Sequence, residues 1–254
     1  DNTFWDNLSA PTLWSVDEEV NPDKSAKRRI RNKNFRSLKS AIYHSFDGSG
    51  VQTDYLDDLF KKHRGSDFSK DDVLLDCSTY RIGIRQIANN TNERSAIAAV
   101  LPPGIVTHNK CPTIRPYEIN PSEEDLKESP AHGVYDRIFT DKELFAVLGI
   151  LNSVPFDYIV RTKLDTSLSM NMFEECQAPR LTSGDEWFEP VWKRSAKLNC
   201  YGDAFLQIRE RLDIEPVSST SKRKILQAEV DAAMFHAYGF NHTQTQFILE
   251  DFHT

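Results

Sequence analysis

Tyr80–Val106, YRIGIRQIANNTNERSAIAAVLPPGIV, is the stretch on which the reading of this chain turns. Tyr80, Ile82 and Ile84 alternate with Arg81, Gly83 and Arg85, which is the two-residue period of a half-buried strand. A polar turn follows, and then Ala96–Leu101, a run of small apolar residues. We assign that run to a neighbouring strand, although propensity alone suits a helix nearly as well. Pro102-Pro103-Gly104 ends it. No common soluble scaffold requires this order of strand, polar turn and apolar run.

Outward from this stretch the periodicity changes. Residues 1–20 are aromatic and acidic, an extended or weakly helical lead suited to packing on a neighbour. Ile30, Leu38, Ile42 and Phe46, with Phe35, recur at helical spacing over residues 25–46, and Asp47-Gly48-Ser49-Gly50 breaks the pattern. A short second helix is expected from Asp54 to His63. Residues 105–135 carry prolines and polar groups and read as long loops, where recognition residues usually sit. Thr140-Asp141-Lys142-Glu143 is a capping box for a helix through Leu151. Val154-Pro155 stops that helix, and Phe156–Leu164 forms a second one. Residues 165–200 read as loop and strand, punctuated by Pro179 and Pro190. Ser219 or Ser221 caps a helix over about 222–238, with Leu226, Val230, Ala233 and Ala237 inward and Gly239 at its C′ position. Thr243 then caps a last helix that uses Phe247, Ile248 and Phe252.

The chain's 254 residues, 39% hydrophobic and 27% charged, describe an ordinary globular composition with room for a core. No apolar run approaches the roughly 20 residues that a membrane helix needs. The first residue, Asp1, stands where a start Met would, and we read it as the mark of a piece of a longer protein or of processing. Cys77, Cys111, Cys176 and Cys200 are scattered and form no C-x-x-C pair, a pattern that fits a reducing cytosol. His108 and Cys111 have ligand-like spacing, but a zinc site needs two further ligands and none pairs with them, so no metal is expected.

Net charge is −7, yet residues 24–39, KSAKRRIRNKNFRSLK, hold eight Lys or Arg and no acid. Such a stripe neutralises phosphates. Its plainer reading is a solvated helix face, which forgoes the i,i+4 pairing with Glu that usually accompanies one. Four chemistries lack their residues. Phosphodiester cleavage of the PD-(D/E)-x-K type finds only Pro22-Asp23 and the distant Asp125-Leu126-Lys127. Neither a phosphate-cradling G-x-x-x-x-G-K-S/T loop nor a G-x-S-x-G elbow occurs. Adenine methylation needs an N/D/S-P-P-Y/F tetrapeptide to hold the flipped base, and Leu101-Pro102-Pro103-Gly104 has neither the polar nor the aromatic member.

Arg85, Ile87, Thr91, Asn92, Glu93, Arg94, Ser95 and Pro102 nevertheless match a pattern, R-x-I-x-x-x-T-D/N-E-R-T/S followed by small apolar residues and a proline. In this the chain resembles the TaqI-like specificity region of large bacterial and archaeal adenine-N6 DNA methyltransferases of restriction-modification and phage-defence systems. FDYIVRTKLDTSLSMNMFEECQAPRL, residues 156–181, resembles a further segment of that family, and ILQAEVDAAMFHAYGFNHTQTQFILEDF, residues 225–252, resembles its closing helices. The three segments come in the family's order. The resemblance implies an α+β fold with a helical linker over residues 1–70 that lies along the DNA backbone or acts as a hinge. A mixed strand and loop specificity domain over residues 71–254 would follow, closed by a C-terminal helical pair. It implies sequence-specific recognition of double-stranded DNA beside the parent protein's methyltransferase domain. S-adenosylmethionine would be bound in that missing domain, with no cofactor and no catalytic residue in this chain, and the setting would be a bacterial or archaeal cytoplasm. Asn92 stands where Asp is commoner in the family, and any charge-dependent role of that position is in doubt.

Candidate DNA contacts are Lys27, Arg28, Arg31, Lys33, Arg36 and Lys39 on the basic helix for phosphates, and Asn109, Lys110, Arg115 and Arg180 on loops for bases. His108, Lys193 and Arg194 are further loop candidates. Each loop residue has a plainer reading as an ordinary surface side chain. The resemblance places the Tyr80–Arg85 strand in the core of the specificity domain, which implies that Arg85 and Arg94 are internal with Glu93 as a partner, with DNA contact as the alternative. A protein-interaction module of a defence complex, which reads no bases, is the competing class, and the acidic net charge speaks for it.

Overall fold

The computed structural model describes residues 79–88, 92–105, 107, 110–119, 135–164, 168, 173 and 175–252. The helices expected at 25–46 and 54–63, the 1–20 lead and the boundary at residue 70 lie outside these residues. The described chain is α+β, with two antiparallel sheets and six α-helices. It divides into two compact units, one of Asp1–Tyr80, Pro103–Val106 and Arg115–Ile138, the other of Arg81–Pro102, Thr107–Ile114 and Phe139–Thr254.

The second unit is built on a sheet of order β2-β1-β3, from Arg81–Ile84 (β1), Ala98–Leu101 (β2) and Thr113–Ile114 (β3). The strand assignment of the small apolar run therefore holds, with Ile82 opposite Val100 and Ile84 opposite Ala98. β1 departs from the half-buried expectation, because all four of its residues are buried, Arg81 included. A central strand paired on both edges has no solvent face when elements cover it above and below. Gly83 shows how close that cover is, since an added Cβ would lie 2.8 Å from Leu101 Cδ1 and 3.1 Å from Cys111 Sγ.

β2 is an edge strand whose outward groups are closed by two side-chain amides. Asn152 Oδ1 accepts from Ala98 N and its Nδ2 donates to Ala98 O, both at 2.9 Å. Asn199 does the same for Val100, accepting from its N–H at 3.0 Å and donating to its carbonyl at 3.2 Å. Each amide imitates the strand that is missing there, so the edge offers no template for another chain.

Asp141–Leu151 (α1) is the central helix. Thr140 and Glu143 form the expected capping box, and seven of its residues, Leu144, Phe145, Ala146, Leu148, Gly149, Ile150 and Leu151, are buried. A helix apolar on nearly all sides must be surrounded, and α1 packs on the sheet and on Phe188–Asn199 (α3). The α1–α3 approach is tight at Gly149, where a Cβ would stand 2.5 Å from both Val191 Cγ1 and Ser195 Oγ.

Three readings of punctuation are corrected here. Val154-Pro155 opens Val154–Lys163 (α2) rather than ending α1, because a proline in the first turn lacks only an N–H that has no helical partner there. Pro190 lies in the first turn of α3 for the same reason, so residues 188–199, expected as loop or strand, are helical. The pattern Phe188, Val191, Trp192, Ser195, Ala196, all buried, is the i, i+3, i+4, i+7, i+8 stripe of a packed helix. Residues 105–135, expected as loops throughout, contain β3, Tyr117–Ile119 (β4) and the start of Tyr135–Arg137 (β5).

A one-turn 3-10 helix at Asp203–Phe205 leads into Leu206–Leu212 (α4), and Thr220–Ala237 (α5) and His242–Glu250 (α6) close the chain. Val230 and Ala233 are buried on α5 as expected, and Gly239, at φ +72°, ends it. The last helix is capped by Asn241 with Gln244, not by Thr243. Ile248 packs inward with Val154 and Phe235, and Phe252 joins that cluster. Phe247, expected inside, is 64% exposed. No single helix among the described residues is long and apolar enough to cross a membrane; α1 and α2 pass together only as a pair bent by 58°.

In the first unit β4 and β5 form an antiparallel pair with Tyr117 opposite Arg137. Ile138 N donates to Pro116 O at 2.9 Å, and Arg115 lies over the Tyr117 ring at 5.6 Å.

Candidate nucleic-acid interface

β1 runs out at Ile84 into a place where three chain segments meet. Arg85 N donates to Ile97 O at 2.9 Å, Gln86 N to Lys110 O at 3.1 Å, and Leu168 N to Gln86 O at 3.0 Å. Backbone bonds from a buried strand thus fix the start of one loop against two others, the arrangement in which a rigid scaffold presents variable side chains. Lys110 is exposed at this junction. Ile87, next to Gln86 in the chain, and Ile97, whose carbonyl accepts from Arg85 N, are 63% and 40% exposed. Ile87 had been read only as a residue of the motif; its exposure has no sequence signal, because the alternation that ends at Ile84 does not say which way the next apolar residue points.

Arg115 is exposed in the first unit and Arg180 is exposed in the second, beside Asp185, whose carboxylate is held below its ordinary range chiefly by the Thr182 backbone N–H. Lys193 and Arg194, expected on a loop, lie on α3. Lys193 pairs with Glu189 at 2.7 Å and Arg194 with Glu229 at 2.6 Å, so both have acidic partners. Lys27, Arg28, Arg31, Lys33, Arg36, Lys39, His108 and Asn109 lie outside the described residues.

The motif arginines Arg85 and Arg94 are half-buried, and the anchor of Arg94 differs from the one expected. Asp157 on α2 is fully buried and accepts from Ser95 N at 3.0 Å and from Ala96 N at 2.6 Å. Arg94 Nε stands 3.2 Å from the same carboxylate, and its guanidinium also donates to Asn152 O. Glu93, the expected partner, is exposed and contributes only its backbone carbonyl, which accepts from Arg161 at 2.5 Å. Arg161 also reaches Asn92 O at 2.6 Å and lies 3.8 Å from Asp157. Phe252 covers the pair, its ring centroid 4.0 Å from Arg161 Cζ and 5.8 Å from Arg94 Cζ. Arg85 donates to Arg94 O at 2.7 Å. A buried carboxylate needs donors on all sides. Those here come from the strand-turn segment and from its own helix, and the C-terminal residues close over them.

Two cavities flank this frame. One, of about 260 Å³, lies behind the β2 edge between Asn152, Asn199, Ser195, Arg223 and Gln227. The other, of about 490 Å³, lies along α5 and α6 and is largely apolar apart from Asp231, His236, His242 and Thr245. Burial raises the Asp231 carboxyl above its ordinary value. Sequence reasoning passed over Asp231, whose only signal was an acid directly after the inward Val230. Burial pushes the Cys200 thiol up to about 12 and raises that of Cys176. Among the described residues no cluster of three or more His, Cys, Asp or Glu is placed to hold a metal ion.

Comparison of the chain with protein-family models, with curated proteins and with solved structures finds no match.

Proposed function

We propose that this chain is the target-recognition part of an adenine-N6 DNA methyltransferase of a restriction-modification or phage-defence system, and that it binds duplex DNA sequence-specifically. One observation carries the reading. The three sequence segments that resemble that family, far apart in the chain, supply the members of a single buried node: Arg94 and Ser95 from the first, Asp157 and Arg161 from the second, Phe252 from the third. A resemblance by chance has no reason to fall on residues that hold one another in place. The loop junction in front of the node, with Lys110 exposed, supplies a surface for base reading, and the basic stretch 24–39 supplies phosphate contacts.

On this reading the chain performs no chemistry. It grips the duplex, reads a short site and presents an adenine to the parent protein's methyltransferase domain, where S-adenosylmethionine is bound, in a bacterial or archaeal cytoplasm. The second reading, a protein-interaction module of a defence complex, draws on the exposed Tyr201, Leu206, Ile225 and Phe247.

The deciding experiment is binding of random-sequence duplex DNA as a function of salt. The expected log–log slope is about −4 to −7 from several phosphate contacts. Charge reversal at Lys27, Arg28, Arg31 and Arg36 is expected to flatten it. Selection of preferred sites follows, and Lys110→Ala is expected to relax the preference without changing the slope by more than about one unit. Absence of binding at low salt would overturn the stand-alone DNA reading in favour of the interaction module.

A further inference from the structure

We infer that the groove along α5 and α6 is a binding site for a small organic cation, an aromatic or alkyl body carrying one protonated amine, with the Asp231 carboxylate as acceptor of the ammonium group.

The cavity of about 490 Å³ is of small-molecule size, within the ~300–1,000 Å³ that ligand pockets span. Val154, Ala228, Ala232, Phe235, Phe240 and Leu249 give it apolar walls. Ala228 and Ala232 stand one turn apart on α5, and their short side chains leave the space open. Phe235 and Phe240 meet edge to face with centroids 6.1 Å apart, and Tyr238 stacks on Phe240 at 5.5 Å, so the aromatic wall is preset. His236, at the rim, is held flat against Trp187 at 5.0 Å.

Charge decides the class of ligand. Asp231 Oδ1 accepts from Val154 N at 2.8 Å and from Gln227 Nε2 at 3.5 Å. Among the described residues no Lys or Arg makes an ion pair with it; the Arg94 charge acts on it from a distance, but burial outweighs that charge and raises its pKa. A desolvated carboxylate without a cation in contact gains most from a ligand that brings one. The aromatic faces add attraction for the same charge and for nothing anionic. A neutral apolar body would fill the cavity and leave the carboxylate as it is, and an anion would meet like charge.

Phenethylamine is a suitable probe, with phenethyl alcohol as its neutral counterpart and hydrocinnamate as its anionic one, each titrated into the full chain at neutral pH by calorimetry or ligand-observed NMR. The amine is expected to saturate at about millimolar concentration or below, and the alcohol and the acid to bind at least ~10-fold more weakly. Asp231→Asn keeps an acceptor for Val154 N–H and is expected to bring amine and alcohol to equal affinity. Ala232→Phe fills the cavity from an exposed position and is expected to abolish binding of all three, with thermal unfolding confirming that the fold is kept. Equal binding of amine and alcohol by the unaltered chain overturns the inference, as does failure of the amine to saturate. Amine binding unchanged in either variant overturns it as well. DNA binding plays no part in these readouts, so the two proposals stand or fall separately.

Discussion

Replacing Asp157 by alanine tests the frame of the second unit at its most concentrated point. The carboxylate is fully buried, and the groups around it, Ser95 N–H, Ala96 N–H and Arg94 Nε–H, are all donors. Removing it leaves two backbone N–H groups and the Arg94 Nε–H without their acceptor and the Arg94 charge without its counterion, and breaking a buried ion pair from one side costs about 3–5 kcal/mol. The total stability of a domain is only ~5–15 kcal/mol. At ~2–4 °C per kcal/mol for domains of about this size, the melting temperature is expected to fall by about 6–20 °C. Asn is the sharper variant. Its amide nitrogen must face one of three donors, so Asp157→Asn is expected to lose most of what Ala loses despite its near-identical shape. Urea unfolding followed by tryptophan fluorescence, with Trp192 buried in the same unit, gives the free energies. A double-mutant cycle with Arg94→Ala isolates the pair and is expected to show a coupling of about 1–3 kcal/mol. An Asn variant as stable as the unaltered protein, or a coupling near zero, would refute the reasoning.

Three further outcomes are expected. Gly149→Ala puts a methyl group 2.5 Å from Val191 Cγ1, and the strain of about 1–3 kcal/mol outweighs the ~1 kcal/mol that alanine gains in a helix. Ser195 Oγ lies equally close, so the same change made in a background carrying both Val191→Ala and Ser195→Ala is expected to be neutral or stabilising, and denaturation midpoints of the parent, the background and the two alanine-149 proteins check it. Burial raises the Asp231 pKa, so the folded state holds its proton above the range where the unfolded chain releases it. The stability contributed by this group is complete below the ordinary carboxylate value of about 3.9 and is lost as pH rises through the raised one. Asp231→Asn is therefore expected to be the more stable protein at neutral pH, with the difference closing in acid; equal pH profiles for the two would contradict this. Cys200, fully buried with its thiol pushed up to about 12, is expected to resist iodoacetamide in mildly alkaline buffer until the chain unfolds, and mass mapping of the alkylated cysteines reads this directly.

Sequence pattern reached those elements whose signals are local. The capping box at Thr140–Glu143, the alternation around Ile82 and the glycine after α5 each fix a short piece of backbone through their own hydrogen bonds or dihedral angles, and each appears where the sequence places it. Proline misled twice, at Pro155 and Pro190, because the same ring that breaks a helix interior is well suited to its first turn, and only the residues that follow tell the two apart. Partners distant in sequence were not legible. Arg94 was matched with its chain neighbour Glu93, whereas the carboxylate that holds it lies 63 positions on, brought there by the turn between α1 and α2. Of the candidate contacts, Lys110 lies at a junction of three segments, Arg115 and Arg180 belong to different units, and Lys193 and Arg194 have acidic partners on helices that the sequence reading had drawn as loop or had not paired with them.

The amide clamp on the outer edge of β2 also bears on how this protein ages chemically. Asn152 precedes Ser153, a sequence prone to deamidation, which begins when the following backbone nitrogen attacks the side-chain amide carbon. In the folded chain Ser153 N is engaged with Ile150 O at 3.1 Å, and the Asn152 amide is held at both ends by Ala98. Attack requires that both be released, so the reaction proceeds only through opened molecules. Once it has happened, the new carboxylate presents an acceptor to the Ala98 carbonyl where a donor stood, and the edge cannot close as before. Accumulated deamidation at Asn152 is therefore a record of how often this corner of the sheet has come apart.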